Sequence, residues 1–495
     1  MRHFLLIVVL AVILLLSGCM VGPKYVKPAA PLAPDSFKEA TGWKEGDGWK
    51  IAKPEDALLR GKWWELYGDA KLNELEEQVD PSNQTLKIAE ANFRQARTAI
   101  RFNRAAEAPT IGTSPSISAV RDSANRPYFP ASQANNGTGD FTLPFDLSYE
   151  IDLWGRVRRT VTAAREEAQA SAADLETARL SLHAELALDY FEVRSADAQE
   201  QLLNDTVDAY SKALELTTNR FQGGAAPKSD VAQAQTQLEA ARVLAADITV
   251  QRAQYEHALA ILIGKPPAAF SLPPVPLNVQ PPELPSVPVA LPAQLLERRP
   301  DIAAAERRMA AANEQIGIAK AAYYPTLNLA AVAGFEGSSL LNWLNWPSRF
   351  WAVGPGMSET IFDGGRRRAT AESARAGYDA SVANYRQSVL TSFQQVEDNL
   401  VVLRVLSAES VQQHNATAAS EEALRLFQNR YAGGVDTYLQ VVTSQTTALE
   451  NERNDIDLMR RRLEANVLLI KAVGGGWDVS VLPACDSYEY NVRLV

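Results

Sequence analysis

The chain repeats itself. Asn219-Arg220-Phe221-Gln222-Gly223-Gly224 returns as Asn429-Arg430-Tyr431-Ala432-Gly433-Gly434, at an offset of 210 residues. The same offset pairs Gly155-Arg156 with Gly365-Arg366, Gln235 with Gln445, and Gly264 with Gly474. An offset of 216 pairs Pro109-Thr110-Ile111 with Pro325-Thr326-Leu327. Matches at one spacing over so long a stretch mark a tandem duplication, so every element of one copy is expected twice.

Each copy reads as helix, strand, strand, long helix, shorter helix. In the first, Phe141, Leu143, Phe145, Leu147, Tyr149, Ile151 and Leu153 alternate with Thr142, Pro144, Asp146, Ser148, Glu150 and Asp152. That period of two predicts a strand with one apolar face. A weaker strand precedes it at about 110–120, and 326–336 and 351–362 fill the same places in the second copy. Residues 156–222 contain no glycine or proline, and 366–432 contain only Gly377. Both runs are rich in strong helix formers, and about 65 residues at 1.5 Å each reach roughly 100 Å. Leu203, Val207, Tyr210 and Leu214, like Val389, Phe393, Val396, Leu400 and Leu403, have the 4-3 spacing of a coiled-coil seam. A shorter helix returns after each Gly-Gly pair, which predicts two helical hairpins with their tips at Gly223-Gly224 and Gly433-Gly434.

The first residues are a secretory signal: Arg2, an apolar run from Leu5 to Leu16, then Leu16-Ser17-Gly18-Cys19. The tetrapeptide resembles a lipobox, implying cleavage before Cys19 and its acylation; an ordinary signal followed by a chance cysteine is the plainer alternative. No other apolar run is long enough for a membrane helix, so any spanning structure must be a β-barrel. The expected organisation is signal peptide 1–18, an extended lipid-anchored segment 19–80, a first repeat 81–265, a proline-rich linker 266–295, a second repeat 296–476 and a tail 477–495. Ten of the 27 residues from Pro266 to Pro292 are proline, which predicts an extended linker without ladder or helix donors.

Two copies supply four strands, whereas bacterial single-chain barrels begin at about eight. An open sheet would leave bare edges in lipid, so closure requires several chains in a ring. Three would give 12 strands and six hairpins, a number the strand count alone does not choose.

These residues resemble a known family. Gly18-Cys19-Met20-Val21-Gly22-Pro23-Lys24-Tyr25-Val26-Lys27-Pro28, Trp63-Trp64, Leu295-Leu296-Glu297-Arg298-Arg299-Pro300-Asp301-Ile302, the Arg-aromatic-x-Gly-Gly tips and Gly474-Gly475-Gly476-Trp477 are similar to TolC-like outer-membrane efflux proteins of the NodT/OprM lipoprotein branch. The resemblance covers nearly the whole mature chain. It implies a mainly α fold with a membrane β-barrel, formed as a homotrimer with a 12-stranded barrel on a long helical periplasmic barrel. It further implies docking through the tips to a periplasmic adaptor (membrane fusion protein) and an inner-membrane transporter of the RND class.

The same resemblance places a periplasmic gate at Asp230 and Tyr431, with Leu439, Gln440 and Thr443 on the neighbouring helix facing the pore. Relatives carry aspartates near the last two positions, and their absence here removes the carboxylate ring of a cation filter. Asp230 has a second reading, as the cap of a return helix starting near Ser229. Arg156, Arg158, Arg159, Arg366, Arg367 and Arg368 follow the strands and read as anchors to outer-membrane lipid at its periplasmic interface, against a plain solvated charge run.

No catalytic or phosphate-binding motif is present, so no enzyme and no cofactor are expected. His183 and His257 are expected on packed helix faces and His414 in solvent, with no metal site. A net charge of −10 without a basic aromatic stripe argues against nucleic acid as a partner. Two rivals are a pore-free coiled-coil adaptor, which leaves the four strands unexplained, and a barrel hydrolase, which would need a histidine on a strand.

Overall fold

The computed structural model describes residues 20–40, 49–51, 61–121, 123, 125, 127, 137–277, 284, 287–289, 292–294 and 298–482. The expected signal peptide, Cys19 and the tail beyond 482, including Cys485, lie outside the described residues. In chain order the elements are β1 (Trp49–Ile51), α1 (Ala70–Ser82), α2 (Gln84–Arg104), β2 (Thr110–Thr113), β3 (Ser116–Val120), β4 (Thr138–Ile151), α3 (Arg156–Gln222), α4 (Lys228–Leu262), β5 (Val287–Val289), α5 (Pro300–Ala321), β6 (Thr326–Gly337), β7 (Arg349–Ser358), α6 (Arg366–Ala432) and α7 (Tyr438–Ala472). Helices α3 and α6 have 67 residues each. Among the described residues no helix is long and apolar enough to cross a membrane.

The main sheet is antiparallel: β2 and β3 pair with one side of β4, β6 with the other, and β7 with β6. Its register sorts the side chains. Leu143 lies opposite Phe335, Phe145 opposite Ala333, and Leu147 opposite Ala331. Ala333 and Ala331 in turn face Trp351 and Val353. Because side chains alternate in direction along a strand, these residues share one face, and Asp146, Ser148, Glu150, Glu336 and Asn328 share the other. The apolar face is bare: Trp351, Val353 and Met357 are 74%, 63% and 75% exposed. Among the described residues, β2/β3 and β7 each lack a partner on their outer side.

Strand ends depart slightly from expectation. The first strand breaks at Ser114-Pro115, where proline offers no N–H to the ladder. Strand β7 stops at Ser358, opposite the first residue of β6, Thr326. Beyond it no partner continues, and Asp363 turns the chain by accepting bonds from the N–H groups of Gly365 (3.0 Å) and Arg367 (3.1 Å).

The linker requires a correction. Val287–Val289 is a ladder strand, parallel to Trp49–Ile51, with Pro288 opposite Lys50. A two-stranded ladder leaves alternate N–H groups of each strand unused, so a proline fits there without losing a bond.

The helices pack through the predicted seams. Leu203, Tyr210, Val389, Val396, Leu400 and Leu403 are buried. The second return helix, α7, packs on α3 as well as on α6. That explains a further correction: Val467 is fully buried, whereas its repeat counterpart His257 on α4 is exposed. His183 is buried and stacks on Trp64 at 4.5 Å between ring centroids. Its Nδ1 is 2.6 Å from Glu76 Oε2, and its Nε2 is 3.5 Å from Asp80. Burial opposes protonation of His183, yet the hydrogen bonds to Asp80 and Glu76 outweigh it and raise the imidazole to about 9. His414 is exposed.

The extended segment from Met20 wraps the outside of the helices. Val21 donates to the Trp154 carbonyl at 3.1 Å, Tyr25 bonds Glu306 at 2.5 Å, and the N–H groups of Lys38 and Glu39 bond Glu397.

Candidate functional site at the hairpin tips

Both tips are built alike. Helix α3 ends at Gln222 and α4 begins at Lys228; α6 ends at Ala432 and α7 begins at Tyr438. At the first tip Gly224 has φ +70° and at the second Gly434 has φ +74°. This left-handed geometry lets the chain turn while the N–H groups of Ala225 and Val435 reach back to the carbonyls of Arg220 and Arg430, at 2.7 and 2.9 Å. Glycine adopts it at no steric cost, which is why a Gly-Gly pair ends each long helix.

The two tips meet. Tyr431, 4% exposed, donates from Oη to Asp230 Oδ2 at 3.3 Å. Its ring lies 5.1 Å from that of Tyr438, and both join Ala234 and Val441 in a small apolar cluster. Burial first, and the Asp230 charge second, raise the Tyr431 phenol above its ordinary value. Burial, with Tyr431 and Asp230 adding to it, pushes Tyr438 up to about 12. Arg430 pairs with Asp436 in the same tip, and its guanidinium holds the Asp436 carboxyl below the usual carboxylate range.

The capping reading of Asp230 is corrected. The residue before α4 is Pro227, and no side chain caps that end. Asp230 sits in the first turn, where a negative charge suits the helix dipole, and its side chain meets Tyr431 instead. Leu439, Gln440 and Thr443 are exposed, while Tyr438, Val441 and Ser444 on the same helix are buried. Leu439 thus offers a free apolar surface, at 56% exposure.

The arginines divide. Arg159 is 2% exposed and donates to Glu314 at 2.6 Å and to the Pro23 carbonyl at 3.3 Å. Its guanidinium lies against Gly317, where an added Cβ would stand 2.4 Å from Arg159 Cδ. Reading Arg159 as a lipid anchor is therefore corrected: the side chain is enclosed by its own chain. Arg156 bonds Glu150, Arg158 bonds Asp152 and Arg367 bonds Asp363. Arg366 and Arg368 are exposed, and Arg368 bonds Glu372.

Sequence reasoning missed Arg220. It donates through Nη1 to the carbonyls of Tyr431 (2.8 Å) and Ala432 (3.0 Å), across to the other hairpin. Among the described residues no His, Cys, Asp and Glu cluster has a geometry that could hold a metal ion.

The known proteins similar to this chain agree in kind. The family model for outer membrane efflux proteins matches residues 77–265 and 291–475. The toluene efflux pump outer membrane protein TtgF of Pseudomonas putida is 32% identical over 476 residues, covering 94% of this chain and 95% of its own. Outer membrane protein OprJ of Pseudomonas aeruginosa is 32% identical over 474 residues, covering 95% of each. Among solved structures, the outer-membrane channel OprN superposes with a TM-score of 0.84 at 26% identity, over 93% of this chain and all of its own. The open state of the Neisseria gonorrhoeae MtrE outer membrane channel gives 0.76 at 26%, over 93% and 99%. With both of its repeats matched by the family model, this chain belongs to the outer membrane efflux protein family.

Proposed function

We propose that three copies of this chain form the passive exit duct of a tripartite efflux system, anchored by acyl groups on Cys19. The observation that carries the reading is the antiparallel sheet, four strands wide with β2 and β3 as one broken strand, which has an apolar outer face and two unpaired edges and is set above two long hairpins. Twelve strands in a ring would satisfy every edge and turn that face to lipid. Asp146, Glu150 and Glu336 would then line a wet interior.

In this assembly the periplasmic tips receive an adaptor, which joins the duct to an inner-membrane transporter of the RND class. The Asp230–Tyr431 bond, at 3.3 Å, latches the hairpins in the closed duct, and adaptor docking competes with it. Gly223, Gly224, Gly433 and Gly434 form the docked surface. Leu439 supplies an apolar constriction, while Gln440 and Thr443, uncharged, leave that level without cation selectivity. Arg156, Arg158, Arg366, Arg367 and Arg368 lie at the periplasmic lipid interface. The duct is not an enzyme and uses no cofactor; small molecules move through it down the gradient the transporter maintains.

Planar-bilayer recording of the purified lipidated protein tests this. A water-filled pore with low open probability is expected, and failure to conduct under any condition in protein that keeps its heat-modifiable gel mobility would overturn it.

A further inference from the structure

The tips are copies in sequence but differ in bonding. Arg430 turns back to Asp436, six residues on, in its own tip. The residue six beyond Arg220 is Ala226. With no carboxylate there, Arg220 crosses to the second hairpin. Nη1 bonds the carbonyls of Tyr431 and Ala432 at 2.8 and 3.0 Å, and the guanidinium carbon lies 4.6 Å from the centre of the Tyr431 ring. Those carbonyls end α6, where intrahelical donors run out and the helix dipole is negative, so a cation is well placed. One arginine therefore makes two charge-assisted hydrogen bonds and a cation–π contact to a neighbouring hairpin. It also braces the ring whose hydroxyl bonds Asp230.

We infer that Arg220 is a cross-hairpin tie that positions Tyr431 and holds the two tips together, and that alanine in place of the repeat's aspartate at position 226 frees it to do so. This rests on the reading of the tips as the gate, and adds to it a residue acting at the end of α6.

The test uses the full lipidated assembly in planar bilayers, with tip-to-tip distances from paired spin labels. The variants are Arg220→Ala, Ala226→Asp and the two combined. In Ala226→Asp the introduced carboxylate stands to Arg220 as Asp436 stands to Arg430, and draws the guanidinium home. The open-to-closed ratio should rise about tenfold for each tip that opens, the factor for loss of one charge-assisted hydrogen bond, and the tips should separate. Arg220→Ala should do at least as much, and the double variant no more than Arg220→Ala. An unchanged tip distance in Ala226→Asp overturns the tie, as does an effect of that substitution that persists in full without Arg220. Separated tips with unchanged conductance keep the tie and remove the gate reading. A rise in Tyr431→Phe but in neither Arg220 variant keeps the gate and removes the tie.

Discussion

Replacing Tyr431 with phenylalanine removes one hydroxyl and little else. The ring keeps its contact with Tyr438 at 5.1 Å and its place under Arg220 at 4.6 Å. What is lost is the 3.3 Å bond to Asp230. That is long for an O–H donor, whose usual distance is about 2.7–2.8 Å. Although the acceptor is a carboxylate, the length brings the bond down to about 1 kcal/mol, the range of a neutral pair and below that of a charged one. If three copies open together, the closed state loses roughly 3 kcal/mol, and the open-to-closed ratio rises about a hundredfold. Single-channel recording of Tyr431→Phe against the parent reads this directly. Opening one copy at a time would give about fivefold per tip and graded subconductance steps. An open probability equal to the parent's, with intact oligomers on gels, would refute the latch.

Other consequences follow from the packing. Arg159→Ala strips a buried, hydrogen-bonded cation from Glu314; it should cost about 3–5 kcal/mol, seen as a lower urea midpoint in detergent, and the loss should be the same in anionic and neutral lipid. Equal stability of the variant and the parent would contradict its structural role. Gly317→Ala should destabilise through the same contact, since the new methyl meets Arg159 Cδ at 2.4 Å, and combined with Arg159→Ala it should add little; full additivity in urea melts would count against this coupling. His183 has a folded pKa of about 9 against an ordinary 6.5, so its stabilising contribution is fully present below 6.5 and lost as pH rises through 9. Glu76, pushed up to about 7 chiefly by burial, acts in the same direction between its ordinary 4.5 and 7. Melting temperature should thus fall between pH 6.5 and 9 in the parent and fall less in His183→Gln; parallel profiles would exclude the pair as the source.

The elements governed by local pattern were legible in the residues. Both long helices run from the arginine after a glycine to the residue before a Gly-Gly pair, and the strict alternation of β4 announced a sheet with one apolar face. Asp230 and Tyr431 were brought together by family resemblance, since no local pattern links positions 201 residues apart. Contacts of that range explain the misses. Arg159 stands in a run with Arg158 and looks like its neighbours, but Glu314 and Gly317 come from a helix in the other repeat. The β1–β5 ladder joins two three-residue strands, too short to show a period and far apart in the sequence. His257 was read through its repeat partner, and the copies differ because α7 packs on both long helices, α3 and α6, whereas α4 packs along α3. Arg220 did leave a signal: the repeat that aligns it with Arg430 also aligns Ala226 with Asp436.

In the proposed assembly one chain leaves its sheet open and three close it. Native mass spectrometry of the lipidated protein released from detergent counts the chains in the conducting particle. Three chains per particle are expected, with no stable conducting monomer. A pore that conducts as a single chain, or a particle of any other number, would contradict it.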